Sequence, residues 1–72
     1  MNNQTTKIYS LGRNIFNKRR ECGYTQDKFA EIIDISREHL AKVETAKRTV
    51  SLDLLICIAD ALNVKVRDLI DF

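Results

Sequence analysis

The sequence predicts an all-α domain built from five helices. Its 72 residues contain no proline and only two glycines, and its apolar residues recur three or four positions apart rather than at alternate positions. A content of 44% hydrophobic and 31% charged residues suits one folded domain with a single small core. We expect a flexible polar arm over residues 1–6 and one domain over residues 7–72.

The first helix is predicted over about residues 8–22. Gly23 can end it, because glycine readily adopts the left-handed conformation that closes many helices. Residues spaced three or four apart give this helix one inward face. They are Ile8, Leu11, Ile15, Arg19 and Cys22.

The next three helices begin with a shared device, an N-cap hydroxyl flanked by a hydrophobic staple. The hydroxyl accepts a hydrogen bond from the first turn, while apolar residues before the cap and at the fourth helical position pack together. The caps are Thr25, Ser36 and Ser51, and the staples are Tyr24 with Phe29, Ile35 with Leu40, and Val50 with Leu55. A fourth staple, Val64 with Leu69, marks a last helix, although Lys65 stands at its cap. The four helices are predicted over about residues 26–33, 37–45, 52–62 and 66–71.

The second and third helices are predicted to form a helix-turn-helix. Only residues 34–36 separate them, too few for an antiparallel pair, so the two helices should cross steeply. Leu40 and Val43 point inward, which leaves a polar outward face. Such a helix fits the major groove of B-DNA, where Arg and Lys suit guanine, Glu suits the cytosine amino group and Ala suits the thymine methyl. The predicted base-reading residues are Arg37, Glu38, Ala41 and Lys42, with His39 at the edge.

That outward face has a second interpretation, a solvated surface with an intrahelical ion pair. Glu38 and Lys42 stand four residues apart in the favourable order for such a pair. The interpretation as a DNA-reading face depends on the surrounding motif rather than on these residues alone.

Positive charge is concentrated in the first part of the chain. Residues 1–50 hold ten basic and six acidic side chains, whereas the remainder holds two basic and four acidic ones. Lys47 and Arg48, just after the third helix, are predicted to neutralise DNA phosphates, as is the amide-rich start of the second helix at Thr25 and Gln26. Contacts of this kind set the register of a protein on the duplex.

Several short motifs resemble those of the Cro/phage-repressor (XRE) helix-turn-helix family. In chain order they are Gly23-Tyr-Thr-Gln26, Phe29-Ala30-Glu31, Ile35-Ser36, Leu40, Val43-Glu44, Leu55 through Ala59, Leu62 and Val64, within a match covering residues 11–70. The resemblance implies a compact five-helix, lambda-repressor-like bundle. It also implies a sequence-specific DNA-binding transcriptional regulator, a repressor or controller of bacterial or phage origin. The alternative is a protein-interaction module of the same fold, such as an antitoxin-like partner subunit.

The resemblance also implies roles for four further side chains. Gln26 is expected to contact a phosphate and to support the third helix, and Thr45 to contact the DNA backbone. Arg19 and Glu44 are expected to form a buried ion pair, because an unpaired charge on an apolar stripe would be costly. The family usually has glycine at two positions occupied here by Asp34 and Ala46.

A second apolar edge on the fourth helix predicts a homodimer. It lies beside the predicted inward stripe of the same helix.

 That inward stripe is Leu52, Leu55, Ala59 and Leu62. A two-fold contact through the second edge would place two reading helices about 34 Å apart on one face of DNA. The alternative is a single broad core stripe. The predicted dimer-contact residues are Val50, Leu54, Ile58, Ala61, Ile70 and Phe72.

No other class of site is predicted. Cys22 and Cys57 stand 35 residues apart and His39 is the single histidine, so neither a disulfide framework nor a metal site is indicated. Cys22 is expected to pack inward and Cys57 to be exposed. Without a nucleophile-base pair or a glycine-rich phosphate loop, no enzyme, cofactor or small-molecule ligand is expected. The longest apolar run, residues 54–59, is far shorter than the roughly 20 residues of a membrane span. Two free cysteines suit a reducing cytosol, so we expect a cytoplasmic protein, and the predicted helix-turn-helix makes double-stranded DNA its expected partner.

Overall fold

The computed structural model describes the backbone of residues 3–72 and the side chains of residues 6–72. Within that range it is all-α and has no strand, as predicted. No helix of the described range is both long enough and apolar enough to cross a membrane. The five helices are α1 (Asn3–Glu21), α2 (Gln26–Ile32), α3 (Arg37–Glu44), α4 (Leu52–Ala61) and α5 (Val66–Leu69).

The first helix starts earlier than the sequence predicts. Residues 3–6, expected in a flexible arm, are helical, while Met1 and Asn2 lie outside the described residues. Neither glycine nor proline interrupts this segment, so the helix extends backward from its packed part without meeting a strong helix breaker. At the other end Gly23 has a φ of 82°, the left-handed conformation predicted for it.

The starts of α2, α3 and α4 are held by the predicted hydroxyl caps. Each cap oxygen accepts a hydrogen bond of 3.0 or 3.1 Å from the backbone N–H three residues later. The caps are Thr25, Ser36 and Ser51. At α5 the bond runs in the other direction, because the backbone N–H of Lys65 donates to the carboxylate of Asp68 at 2.9 Å. This contact supplies the support that the Lys65 side chain does not give.

The core receives one large, fully buried apolar side chain from each helix. Together these side chains join all five helices around a single interior, where close packing fixes the helices relative to one another. They are Ile15, Phe29, Leu40, Ile58 and Leu69.

The inward face of α4 differs from the prediction. Leu52, expected inside, is 68% exposed, whereas Ile58, expected on the outer edge, is 0% exposed. The apolar run over residues 54–59 leaves the helical period ambiguous, and this ambiguity explains the error. Ile58 is therefore a core residue and is not available for a dimer contact. The other predicted edge residues of this region are half-buried against the core, namely Val50, Leu54 and Ala61.

Both cysteines are free and exposed. This confirms the expectation for Cys57. The expectation for Cys22 was wrong, because α1 ends at Glu21 and the inward stripe does not continue past that residue. The Cys22 thiol lies 3.9 Å from the carbonyl oxygen of Leu62, at the edge of the bundle rather than inside it.

Among the residues that the structure describes, three other than glycine hold left-handed turns. They are Asp34 at φ 59°, Ala46 at 61° and Asn63 at 57°. Asp and Asn tolerate this conformation better than most residues, whereas alanine has no such advantage. Ala46 nevertheless closes α3, since its N–H donates to the carbonyl of Val43 at 3.2 Å. The turn after α3 therefore keeps the backbone conformation that glycine adopts readily.

Replacing Ala46 with glycine is expected to stabilise the protein by about 0.5–1 kcal/mol. Left-handed backbone costs most residues roughly 1–2 kcal/mol, and the freedom of glycine in the unfolded chain offsets about 0.4–1 kcal/mol of the gain. The matched control is Ala41→Gly within α3, which should lower the free energy of unfolding by about 1 kcal/mol. Thermal unfolding of both variants measures the effect, and an Ala46→Gly protein that melts below the wild type would contradict it.

Candidate nucleic-acid interface

The turn between α2 and α3 is tight and hydrogen-bonded. The N–H of Ile35 donates to the carbonyl of Ala30 at 3.0 Å, and the N–H of Asp34 donates to that of Glu31 at 3.3 Å. These bonds satisfy the last carbonyls of α2 while the left-handed Asp34 redirects the chain. The two helices therefore form the short-linked unit that the sequence predicts.

The inner side of α3 is buried and its outer side is open. Leu40 is 0% exposed and Val43 3% exposed, and these two side chains anchor the helix to the core. Of the predicted base-reading residues, three are exposed and two are half-buried. The exposed ones are Arg37, Glu38 and Lys42, and the half-buried ones are His39 and Ala41.

Both cations on this outer face lie beside a carboxylate. Arg37 Nε is 3.6 Å from Asp27 Oδ1, and Lys42 Nζ is 3.3 Å from Glu38 Oε1. The second contact is the intrahelical pair that the alternative interpretation anticipates. Exposed ion pairs of this kind contribute only about 0–1 kcal/mol. The two cations can therefore exchange these partners for a stronger ligand at little energetic cost.

The residues predicted to contact phosphates lie at both ends of the helix-turn-helix. Thr25 and Gln26 stand at the start of α2, where Thr25 already serves as the cap. Thr45 stands at the end of α3, and its hydroxyl donates to the carbonyl of Ala41 at 2.8 Å. Two exposed cations follow in the loop after α3, and they are Lys47 and Arg48.

A buried ion pair joins α1 to α3. Arg19 is 5% and Glu44 3% exposed. Arg19 Nε donates to Glu44 Oε2 at 2.7 Å and Nη2 donates to Oε1 at 3.1 Å, a two-point contact that fixes both side chains. This is the pair that the family resemblance implies.

The same pair also holds the start of α2. Arg19 Nη1 donates to the carbonyl of Tyr24 at 2.7 Å, and Gln26 Nε2 donates to Glu44 Oε1 at 3.0 Å. Through these bonds one buried carboxylate links α1, α2 and α3. Gln26 therefore has the supporting contact expected of it.

Gly12 is a structural residue of this region that the sequence reasoning missed. A Cβ atom at this position would lie 2.7 Å from the carbonyl oxygen of Val43 and 2.8 Å from that of Glu44. Glycine thus lets α1 approach the end of α3 directly. A glycine inside a helix costs about 1 kcal/mol relative to alanine, and that cost is the signal that could have pointed to a packing role.

Residues 15–69 match the sequence family described as helix-turn-helix. The chain belongs to the helix-turn-helix family. The resemblance to the Cro and phage-repressor group, inferred above from the motifs, is confirmed by this match.

This helix-turn-helix chain is similar to bacterial regulators and controllers. It is 34% identical over 53 residues to an uncharacterized HTH-type transcriptional regulator of Rickettsia conorii, covering 74% of this chain and 42% of that protein. It is 35% identical over 60 residues to control protein C.SmaI of Serratia marcescens, covering 83% of this chain and 71% of that protein. The chain thus spans less than half the length of the Rickettsia relative.

The helix-turn-helix fold also matches a solved structure. The restriction-modification controller protein C.AhdI from Aeromonas hydrophila superimposes with a TM-score of 0.85 and 26% sequence identity. The superposition covers 89% of this chain and 97% of that one.

Proposed function

We propose that this protein is a sequence-specific DNA-binding transcriptional regulator that reads the major groove with α3. The observation that carries the proposal is the outward face of α3, which holds exposed cations while the Arg19–Glu44 pair fixes the helix from its inner side. The similarity of the chain to an HTH-type regulator and to restriction-modification controllers supports the same function.

Base reading and phosphate binding are assigned to different residues. Side chains on the outer face of α3 select sequence, and side chains at the two ends of the helix-turn-helix hold the DNA backbone. The base-reading residues are Arg37, Glu38 and Lys42, with His39 and Ala41 beside them. The phosphate-contacting residues are Thr25, Gln26, Thr45, Lys47 and Arg48.

The working form is proposed to be a cytoplasmic homodimer. Exposed apolar side chains that a second copy could cover include Leu52 and Ile56, one turn apart on α4. Ile70 and Phe72, which follow α5, are also exposed and remain in the proposed contact, and half-buried Val50, Leu54 and Ala61 would contribute at its edge. Sedimentation at micromolar concentration tests this proposal, and a purely monomeric protein would contradict it.

Selection of bound fragments from a random pool of duplex DNA tests the function. A two-fold symmetric enriched site is expected, because a symmetric dimer would present two copies of α3 to one face of the duplex. Recovery of the pool without any enriched sequence would contradict sequence-specific binding. If the protein binds a partner protein with an affinity that does not depend on salt, and retains no DNA, an interaction module would be favoured instead.

Substitutions at Arg37 and Lys47 should separate the two kinds of contact. Arg37→Ala is expected to cost about 1–3 kcal/mol on the selected site and to relax preference at one base pair. Lys47→Ala is expected to weaken binding to every duplex and to reduce the salt slope by about 1. Titration of selected and random duplexes at several salt concentrations measures both effects. Equal effects of both substitutions on the two kinds of duplex would contradict this division of roles.

A further inference from the structure

Three arginines of α1 surround one aromatic ring. The guanidinium carbons of Arg13, Arg19 and Arg20 lie 4.6, 5.2 and 5.6 Å from the centroid of the Phe16 ring. Arg13, Phe16 and Arg20 are spaced three and four residues apart, so they share one face of the helix. We call these three residues the α1 arginine surface. Contact with the ring favours guanidinium positions near Phe16 and so reduces the freedom of the two exposed side chains.

Within the side chains that the structure describes, the exposed arginines of this surface have no acidic partner. Among residues 6–72, the carboxylates that form ion pairs do so with Lys18, Arg19, Arg37 and Lys42. Arg13 and Arg20 are exposed and belong to none of these pairs. Stacking on a ring leaves the N–H groups at the guanidinium edge available, and that edge matches the oxygens of a phosphate. The surface is therefore suited to an external anion.

The α1 arginine surface is linked through Arg19 to a residue proposed to contact the DNA backbone. The third arginine at the ring, Arg19, is bonded to Glu44, which in turn accepts a hydrogen bond from Gln26. Gln26 is one of the proposed phosphate-contacting residues, and Thr45 directly follows Glu44 in the chain. A short series of contacts thus connects the ring of Phe16 to Gln26.

We propose that Arg13 and Arg20, positioned by Phe16, bind phosphates of the duplex that α3 reads. This site lies outside the helix-turn-helix unit and extends the contact with the DNA backbone onto α1. It rests on the proposed function, since the phosphates belong to the bound operator. Its contribution is to affinity and register rather than to base preference, because phosphates carry no direct sequence information.

The test is the salt dependence of binding to the selected duplex. Arg13→Ala and Arg20→Ala should each reduce the slope of log affinity against log salt by about 0.9, and the double variant by about 1.8. Lys18→Ala is the matched control, because it removes one positive charge from a different face of the same helix. The control should leave the slope unchanged. An unchanged slope in the double variant, or an equal reduction in the control, would overturn the proposal.

A second variant tests the role of the ring. Phe16→Leu retains all three arginines and an apolar side chain but removes the ring that positions Arg13 and Arg20. We therefore expect weaker binding to the selected duplex with the same base preference. Arg13→Lys and Arg20→Lys keep the charge and should bind more tightly than the alanine variants, yet more weakly than the wild type. Wild-type affinity of Phe16→Leu, at an unchanged melting temperature, would overturn the positioning role. Failure of the wild-type protein to bind any duplex would instead remove the proposed function itself.

Discussion

Replacing Arg19 with alanine is expected to lower the free energy of unfolding by about 3–5 kcal/mol, because the carboxyl of Glu44 would remain buried without its cationic partner. Glu44→Ala should have a similar effect, since it leaves the guanidinium of Arg19 buried and without its carboxylate. Such a loss is a large share of the roughly 5–15 kcal/mol that stabilises a typical domain. Thermal and denaturant unfolding of both variants measures the loss.

Two controls separate the cost of a buried charge from the loss of contacts. Lys18→Ala breaks the exposed pair with Glu21 and should change stability by less than about 1 kcal/mol. The double variant Arg19→Met with Glu44→Leu removes both charges together and should be more stable than either single alanine variant. Wild-type melting temperatures for both Arg19→Ala and Glu44→Ala would show that the pair does not stabilise the fold.

Gly12→Ala is expected to destabilise the protein by about 2 kcal/mol, within the 1–3 kcal/mol typical of overpacking. The added methyl would meet the backbone oxygens of Val43 and Glu44 at 2.7 and 2.8 Å, so α1 and α3 would have to move apart. Alanine is the better helix former by about 1 kcal/mol, and this gain opposes the clash without cancelling it. For a domain of this size, the melting temperature should fall by roughly 10 °C.

The control for Gly12→Ala is an alanine substitution on the exposed side of the same helix. Asn17 is exposed, so Asn17→Ala should be neutral or slightly stabilising through helix propensity alone. A Gly12→Ala protein that melts at or above the wild-type temperature would mean that the two helices can separate without loss of packing.

Local signals in the sequence predicted most of the fold. The start of a helix is determined by a hydroxyl cap and its staple, and these residues lie within a short stretch of the chain. The caps Thr25, Ser36 and Ser51 could therefore be recognised without any tertiary information. The partnership of Arg19 with Glu44 could also be anticipated, because the family resemblance pairs these two positions.

Features that depend on tertiary packing were harder to predict. The unbroken apolar run of α4 allowed Leu52 and Ile58 to be assigned to the wrong faces, since the side on which the neighbouring helices lie decides between them. The close approach at Gly12 depends on where α3 ends in space, which no local pattern encodes. The ring contacts of Phe16 likewise involve side-chain positions that helical spacing allows but does not require.

The division of α3 into a buried side and an open side has a consequence for protein engineering. Leu40, Val43 and Glu44 hold the helix in place, while Arg37 and Lys42 make only exposed contacts. The exposed positions can therefore be exchanged as a set for those of another regulator without altering the interior. Libraries randomised at these positions alone would retain the scaffold, and under the proposed function they would contain proteins retargeted to new operators.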